Sequence, residues 1–148
     1  DTYSFVLDLL PAPPRQDVVF RIFFMPSAAR HPRGTPPDVI LNDGKAVDLA
    51  ILGAAQIEKD ASYPGAVLQR LHPKGVMVVH WDNFVDAYRT THAMNFRVSE
   101  RKLPRRITDG IGNVTPVYWP LRGGVLNLAM PSQVTSGFSS ADGSGCDV

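Results

Sequence analysis

Apolar positions in this chain fall in short runs divided by proline, glycine and asparagine clusters, and the runs carry two periods. Tyr3, Phe5 and Leu7 alternate with Ser4, Val6 and Asp8. A period of two predicts a strand over residues 2–10. Pro11-Ala12-Pro13-Pro14 stops it and opens a turn or short loop over residues 11–17. The run VVFRIFFM at 18–25 is apolar almost throughout and rich in aromatic and β-branched residues. That composition suits a strand covered on both faces, joined to the first as a hairpin. Residues 30–45 hold Pro32, Gly34, Pro36, Pro37 and Asn42-Asp43-Gly44, which predicts a long loop of the kind that frames a site. Residues 47–53 read as the next buried strand, and 54–61 as polar loop.

The period then changes. Tyr63, Val67, Leu68 and Leu71 share one stripe at helical spacing, behind Ser62 as N-cap and Pro64 near the first turn. Pro73 and Gly75 end the helix, and residues 75–81 form another strand. Strand, helix and strand with short connections imply a right-handed crossover and parallel neighbours, hence an α/β fold. Residues 82–90 could begin a short helix capped by Asp82 or Asn83, with Phe84, Val85 and Tyr88 inward. Residues 94–98 read as a strand and 107–113 as turn and loop. Residues 117–119 and 125–129 read as a hairpin around Arg122-Gly123-Gly124. Residues 131–148 are rich in Ser, Gly and Asp without apolar period, so they predict a flexible tail behind a structured unit at 1–130.

At 148 residues the chain is one domain or a large piece of one. A net charge of +1 exerts no long-range pull on nucleic acid. The basic cluster Arg101, Lys102, Arg105 and Arg106 reads as a solvated loop. The single cysteine, Cys146, excludes an internal disulfide and a cysteine-based zinc motif. No apolar run approaches the roughly 20 residues of a membrane helix, so no membrane partner is expected. The chain opens almost at once on a strand, without an initiator Met, which suggests that residues upstream of Asp1 are missing.

Four histidines are the candidate chemistry. His72 precedes Pro73 at a helix end, where a cation favours the carbonyl terminus. His31 and His92 fall in loops. His80 differs, because it follows the apolar run Val76-Met77-Val78-Val79. It therefore sits at the carboxyl end of a buried strand, where open α/β sheets bind ligands. By position it is either a metal ligand, with Asp82 as a neighbouring acid, or a histidine hydrogen-bonded at a strand end. No HxH, HExxH, GxSxG or phosphate-cradling glycine loop is present.

Taken together, residues 47–53, Tyr63-Pro64, the helix after them, and Val76 to His80 with Trp81-Asp82-Asn83-Phe84 resemble the C-terminal half of metallo-β-lactamase-fold hydrolases. Thr2-Tyr3-Ser4-Phe5, Arg21-Ile22-Phe23-Phe24 and Trp119-Pro120-Leu121-Arg122-Gly123-Gly124 fit the same half. The resemblance covers most of residues 2–130. It implies an αββα sandwich with metals at one edge and His80 as the last metal-binding histidine. It implies zinc or another divalent metal, and metal-activated water attacking a small-molecule substrate.

Two departures accompany it. The family's HxHxDH motif is not in this chain, and the place of the bridging aspartate reads Met25-Pro26-Ser27-Ala28. Ser27 and Asp82 are then expected at the site rim, with loop 28–45 beside the substrate. Asp38 and Asp48 are alternative carboxylates under a shifted register, though Asp48 starts a buried strand and reads as structural. Further ligands are expected upstream of Asp1. Half a sandwich should leave one sheet face apolar and open, to be covered by an N-terminal half or a partner chain. The competing expectation, motivated by Pro26-Ser27, is a catalytically inactive scaffold or binding module of the same fold.

Overall fold

A computed structural model describes residues 3–14, 17–29, 32–55, 57–81, 101–112, 114–120 and 125–128. The chain forms β1 (Phe5–Leu9), β2 (Phe20–Met25), α1 (Asp38–Leu41), β3 (Leu49–Gly53), a 3₁₀ turn (Ile57–Lys59), α2 (Gly65–Leu71), β4 (Val76–Val79), α3 (Lys102–Ile111) and β5 (Val117–Tyr118). The strands make one sheet in the order β1-β2-β3-β4-β5. β1 pairs antiparallel with β2, as the proline-rich connection predicts, and β2 through β5 are parallel. The protein is therefore α/β, with a mixed sheet.

Register sorts the sheet into two unlike faces. Phe23, Met25, Ala50, Leu52, Val76 and Val78 share one face and form the core with Val67, Leu68 and Leu71 of α2 and Leu103 and Ile107 of α3. Burying each of these side chains other than Ala50 stabilises the fold by about 1.5–3 kcal/mol relative to exposure. The helices cross closely because Gly110 lies against Gly65 and Leu68; a Cβ there would sit 3.0 Å from the Gly65 Cα.

The opposite face is also apolar but carries no helix among the described residues. Phe5, Leu7 and Leu9 lie on it opposite Phe24, Ile22 and Phe20, and each of the three is about half exposed, at 50–51%. Phe5 and Phe24 stack with centroids 6.3 Å apart. Ile22, Phe24, Ile51, Met77 and Val79 continue the face in half-buried positions, and its amino end is closed by Phe20 and Leu49. β2 is thus covered well on one face rather than on both, because α2 and α3 pack on the same side.

The amino edge of the sheet is held by charge. Arg21 is 2% exposed. Its guanidinium donates to both carboxylate oxygens of Asp8 and of Asp43, and to the carbonyls of Ile40 and Lys45. Asp48, also buried, accepts from the Arg21 amide and from Lys74, and pairs with Lys45. α1, one turn inside the predicted long loop, supplies the Ile40 carbonyl and pairs Asp38 with Arg70 of α2.

Several sequence expectations are corrected. Ser62 does not cap α2 with its side chain: Pro64 holds the cap position, and the Ser62 hydroxyl donates to Asp60. The Ser62 carbonyl nonetheless accepts the Ala66 amide. His72 closes α2 through its backbone, in left-handed conformation at φ 44°, with its N–H on the Leu68 carbonyl. Lys102, Arg105 and Arg106 of the basic cluster and residues 107–111 of the stretch read as turn and loop belong to α3, with Arg101 at its N-cap, and Arg106 donates to the carbonyls of Ile57 and Asp60. Residues 125–128 form no strand, so the hairpin after β5 is not seen there. The expected helix at 82–90, the strand at 94–98, the turn at 122–124 and the tail at 131–148 lie outside the described residues.

Candidate functional site at the carboxyl edge of the sheet

Three parallel strands, β2, β3 and β4, end at one edge, and their first following residues form its rim: Pro26-Ser27, Ala54-Ala55 and His80-Trp81. Backbone hydrogen bonds tie these stubs together. The Ala28 N–H donates to the Ala55 carbonyl at 3.3 Å, and the Ala54 N–H to the Val79 carbonyl at 2.8 Å. The middle stub is therefore bonded on both sides.

Gly53 explains how the first stub reaches across. The register places Gly53 on the open face, and a Cβ built there would lie 1.8 Å from the Pro26 carbonyl oxygen and 2.9 Å from the Ser27 nitrogen. A real Cβ cannot come that near to backbone. Only glycine lets the Pro26-Ser27 peptide pass over the end of β3 on the open side.

The Gly53 carbonyl accepts a 2.8 Å hydrogen bond from the Tyr63 hydroxyl. Tyr63 is buried just ahead of α2, and burial raises the pKa of its phenol well above the ordinary value. The phenol therefore stays protonated and keeps donating. This bond joins the entry of α2 to the end of β3.

His80 ends β4, exposed to solvent, with its backbone in the left-handed region at φ 56°. A non-glycine residue there is uncommon. Trp81 turns inward immediately after it, 8% exposed, and meets Trp119 edge to face with centroids 6.2 Å apart. The buried indole fixes where the chain leaves the rim. Ser27 is half-buried on the other side of the β3 stub.

The rim thus brings His80 and Ser27 to one edge, while Asp82 lies outside the described residues, as do His31 and His92. The two alternative carboxylates are elsewhere. Asp48 precedes β3 at the amino edge, and Asp38 pairs with Arg70 in the last turn of α2, which runs back toward that same edge. Among the described residues no three of His, Cys, Asp and Glu come together to hold a metal ion. By themselves these residues offer an imidazole and a hydroxyl at the rim, and they do not make a metal-binding set.

Gly53 and the Tyr63 hydroxyl are the site features that sequence reading missed. The signals were present: a glycine closing an otherwise bulky strand marks a close backbone approach, and a buried tyrosine needs a partner for its hydroxyl. No helix among the described residues is long and apolar enough to cross a membrane. No protein-family model, curated protein or solved structure matches this chain.

Proposed function

We propose that this chain is the C-terminal portion of a metal-dependent hydrolase of the metallo-β-lactamase fold, with His80 as one ligand of zinc or another divalent metal. The observation that carries the reading is the placement of His80, solvent-exposed where β4 meets the rim of a parallel sheet. A histidine held there in left-handed backbone needs surrounding structure to fix it, and such positions gather at functional sites. The remaining ligands belong to residues other than those described. Ser27 stands at the rim of the site, Asp82 is assigned to it by its place two residues after His80 in the sequence, and a small molecule is the substrate. The apolar sheet face, which carries no helix among the described residues, supports the finer fold reading, since a second sheet packed on it would complete an αββα sandwich.

A specific observation favours a second reading. The stub after β2 is Pro26-Ser27-Ala28, without a carboxylate, which suits an inactive scaffold or binding module of the same fold. Two experiments separate them. An HxHxDH run encoded upstream of Asp1 favours the enzyme, and its absence favours the scaffold. Turnover of any member of a lactam, ester and phosphodiester panel by the full-length gene product with added zinc or manganese would exclude the scaffold.

A further inference from the structure

We infer that Gly53 and the Tyr63 hydroxyl are a positioning pair for the carboxyl rim, setting the separation between the Ser27 and His80 positions. The inference rests on the reading of that rim as the functional site. Its geometry, however, is independent of any metal.

Gly53 pairs with Val79, the residue before His80, so the end of β3 fixes one side of the rim. The Pro26-Ser27 peptide lies in the space a Gly53 side chain would take, so the same residue fixes the other side. Gly53 is therefore the shared support of both positions. Its own carbonyl is held by the Tyr63 hydroxyl at 2.8 Å, from a buried side chain. Tyr63 in turn is braced from α3, because Arg106 donates to the carbonyls of Ile57 and Asp60 in the connection leading to it.

Neither residue touches Ser27 or His80 through a functional group of its own in this scheme. Gly53 acts by lacking a Cβ, and Tyr63 acts through the Gly53 carbonyl. An alanine at 53 would have to push the Pro26 carbonyl outward by about 2 Å to reach ordinary contact from 1.8 Å. Removing the Tyr63 hydroxyl leaves its ring in the core but releases the end of β3.

The test places nitroxide labels at 27 and 80 in the full-length protein (Ser27→Cys, His80→Cys, with Cys146→Ser). Dipolar broadening of the continuous-wave EPR spectrum then reads the separation. Tyr63→Phe should widen the distance distribution, and Gly53→Ala should shift it outward by an ångström or more. Asp48→Asn, which weakens the fold at the opposite edge, should leave it unchanged. Should Gly53→Ala not fold, Tyr63→Phe carries the test alone. A distribution identical in Tyr63→Phe and the parent, or one moved equally by Asp48→Asn, would overturn the positioning role. Zinc titration of the unlabelled protein is scored separately: a parent that binds no zinc through His80 defeats the metal reading and leaves the EPR result to decide the positioning.

Discussion

The backbone N–H of Arg21 donates to the Asp48 carboxylate at 2.8 Å, across the parallel pair β2 and β3 and inside the protein. Asp48 is 5% exposed, and its other contacts come from Lys45 and Lys74. Replacing it with alanine strips a buried amide of its acceptor. The loss should cost about 2 kcal/mol, because an unsatisfied buried donor keeps its desolvation penalty. Urea denaturation should show a lower midpoint at unchanged slope.

Arg21 should not tolerate lysine. Its planar guanidinium serves two carboxylates and two carbonyls at once, which a single ammonium cannot reproduce. Arg21→Lys keeps the charge, yet should destabilise the fold by about 2–3 kcal/mol through the lost charge-assisted bonds. Calorimetry checks this by the fall in melting temperature. A loss as small as that of an exposed lysine substitution would remove the hub from the account.

The same carboxylates set an acid limit. Burial pushes the Asp48 pKa up, but hydrogen bonds from Lys45, Lys74 and the Arg21 amide outweigh it and hold the pKa below its ordinary value. Hydrogen bonding to Arg21 lowers Asp43 to about 2. Both groups are depressed in the folded state, so their stabilisation is full above the unfolded value of about 4 and disappears as pH falls through the folded values. Stability should be flat from neutral pH to about 5 and then drop steeply toward pH 2. Asp48→Asn should flatten that drop in an acid titration followed by circular dichroism.

The open sheet face makes a different demand. With Phe5, Leu7 and Leu9 half exposed beside Phe24, Ile22 and Ile51, the 148-residue chain alone should self-associate as its concentration rises. Leu7→Lys should suppress this, because the side chain points into solvent and its loss leaves the helix-side core intact. Sedimentation velocity gives the answer. A monodisperse monomer with a sharp melt, before any substitution, would contradict the half-sandwich reading.

Local pattern made much of this fold legible. The odd and even residues of β1 separate onto two faces as their alternation predicts, but the more apolar set, Phe5 and Leu7, lies on the open side while Val6 packs against the core. The stripe of Tyr63, Val67, Leu68 and Leu71 is buried as its spacing implies. α3 was hidden by Pro104 and Gly110, two residues that weaken a helix signal. Proline is tolerated in a first turn, and Gly110 is explained by the helix crossing on Gly65, a contact invisible in the local sequence. Leu103, Ile107 and Ile111, four apart, were the signal to follow. At the rim, His80 was marked by the apolar run it ends. The passage of Pro26 over Gly53 joins residues 27 apart in the chain, and no local pattern encodes it.

The central claim is that the imidazole ending β4 belongs to a metal-holding set. Elemental analysis of zinc in the purified full-length gene product, beside its His80→Ala variant, tests it most directly. The account predicts bound zinc in the parent and a clear loss in the variant at unchanged fold; equal metal content in the two would contradict it.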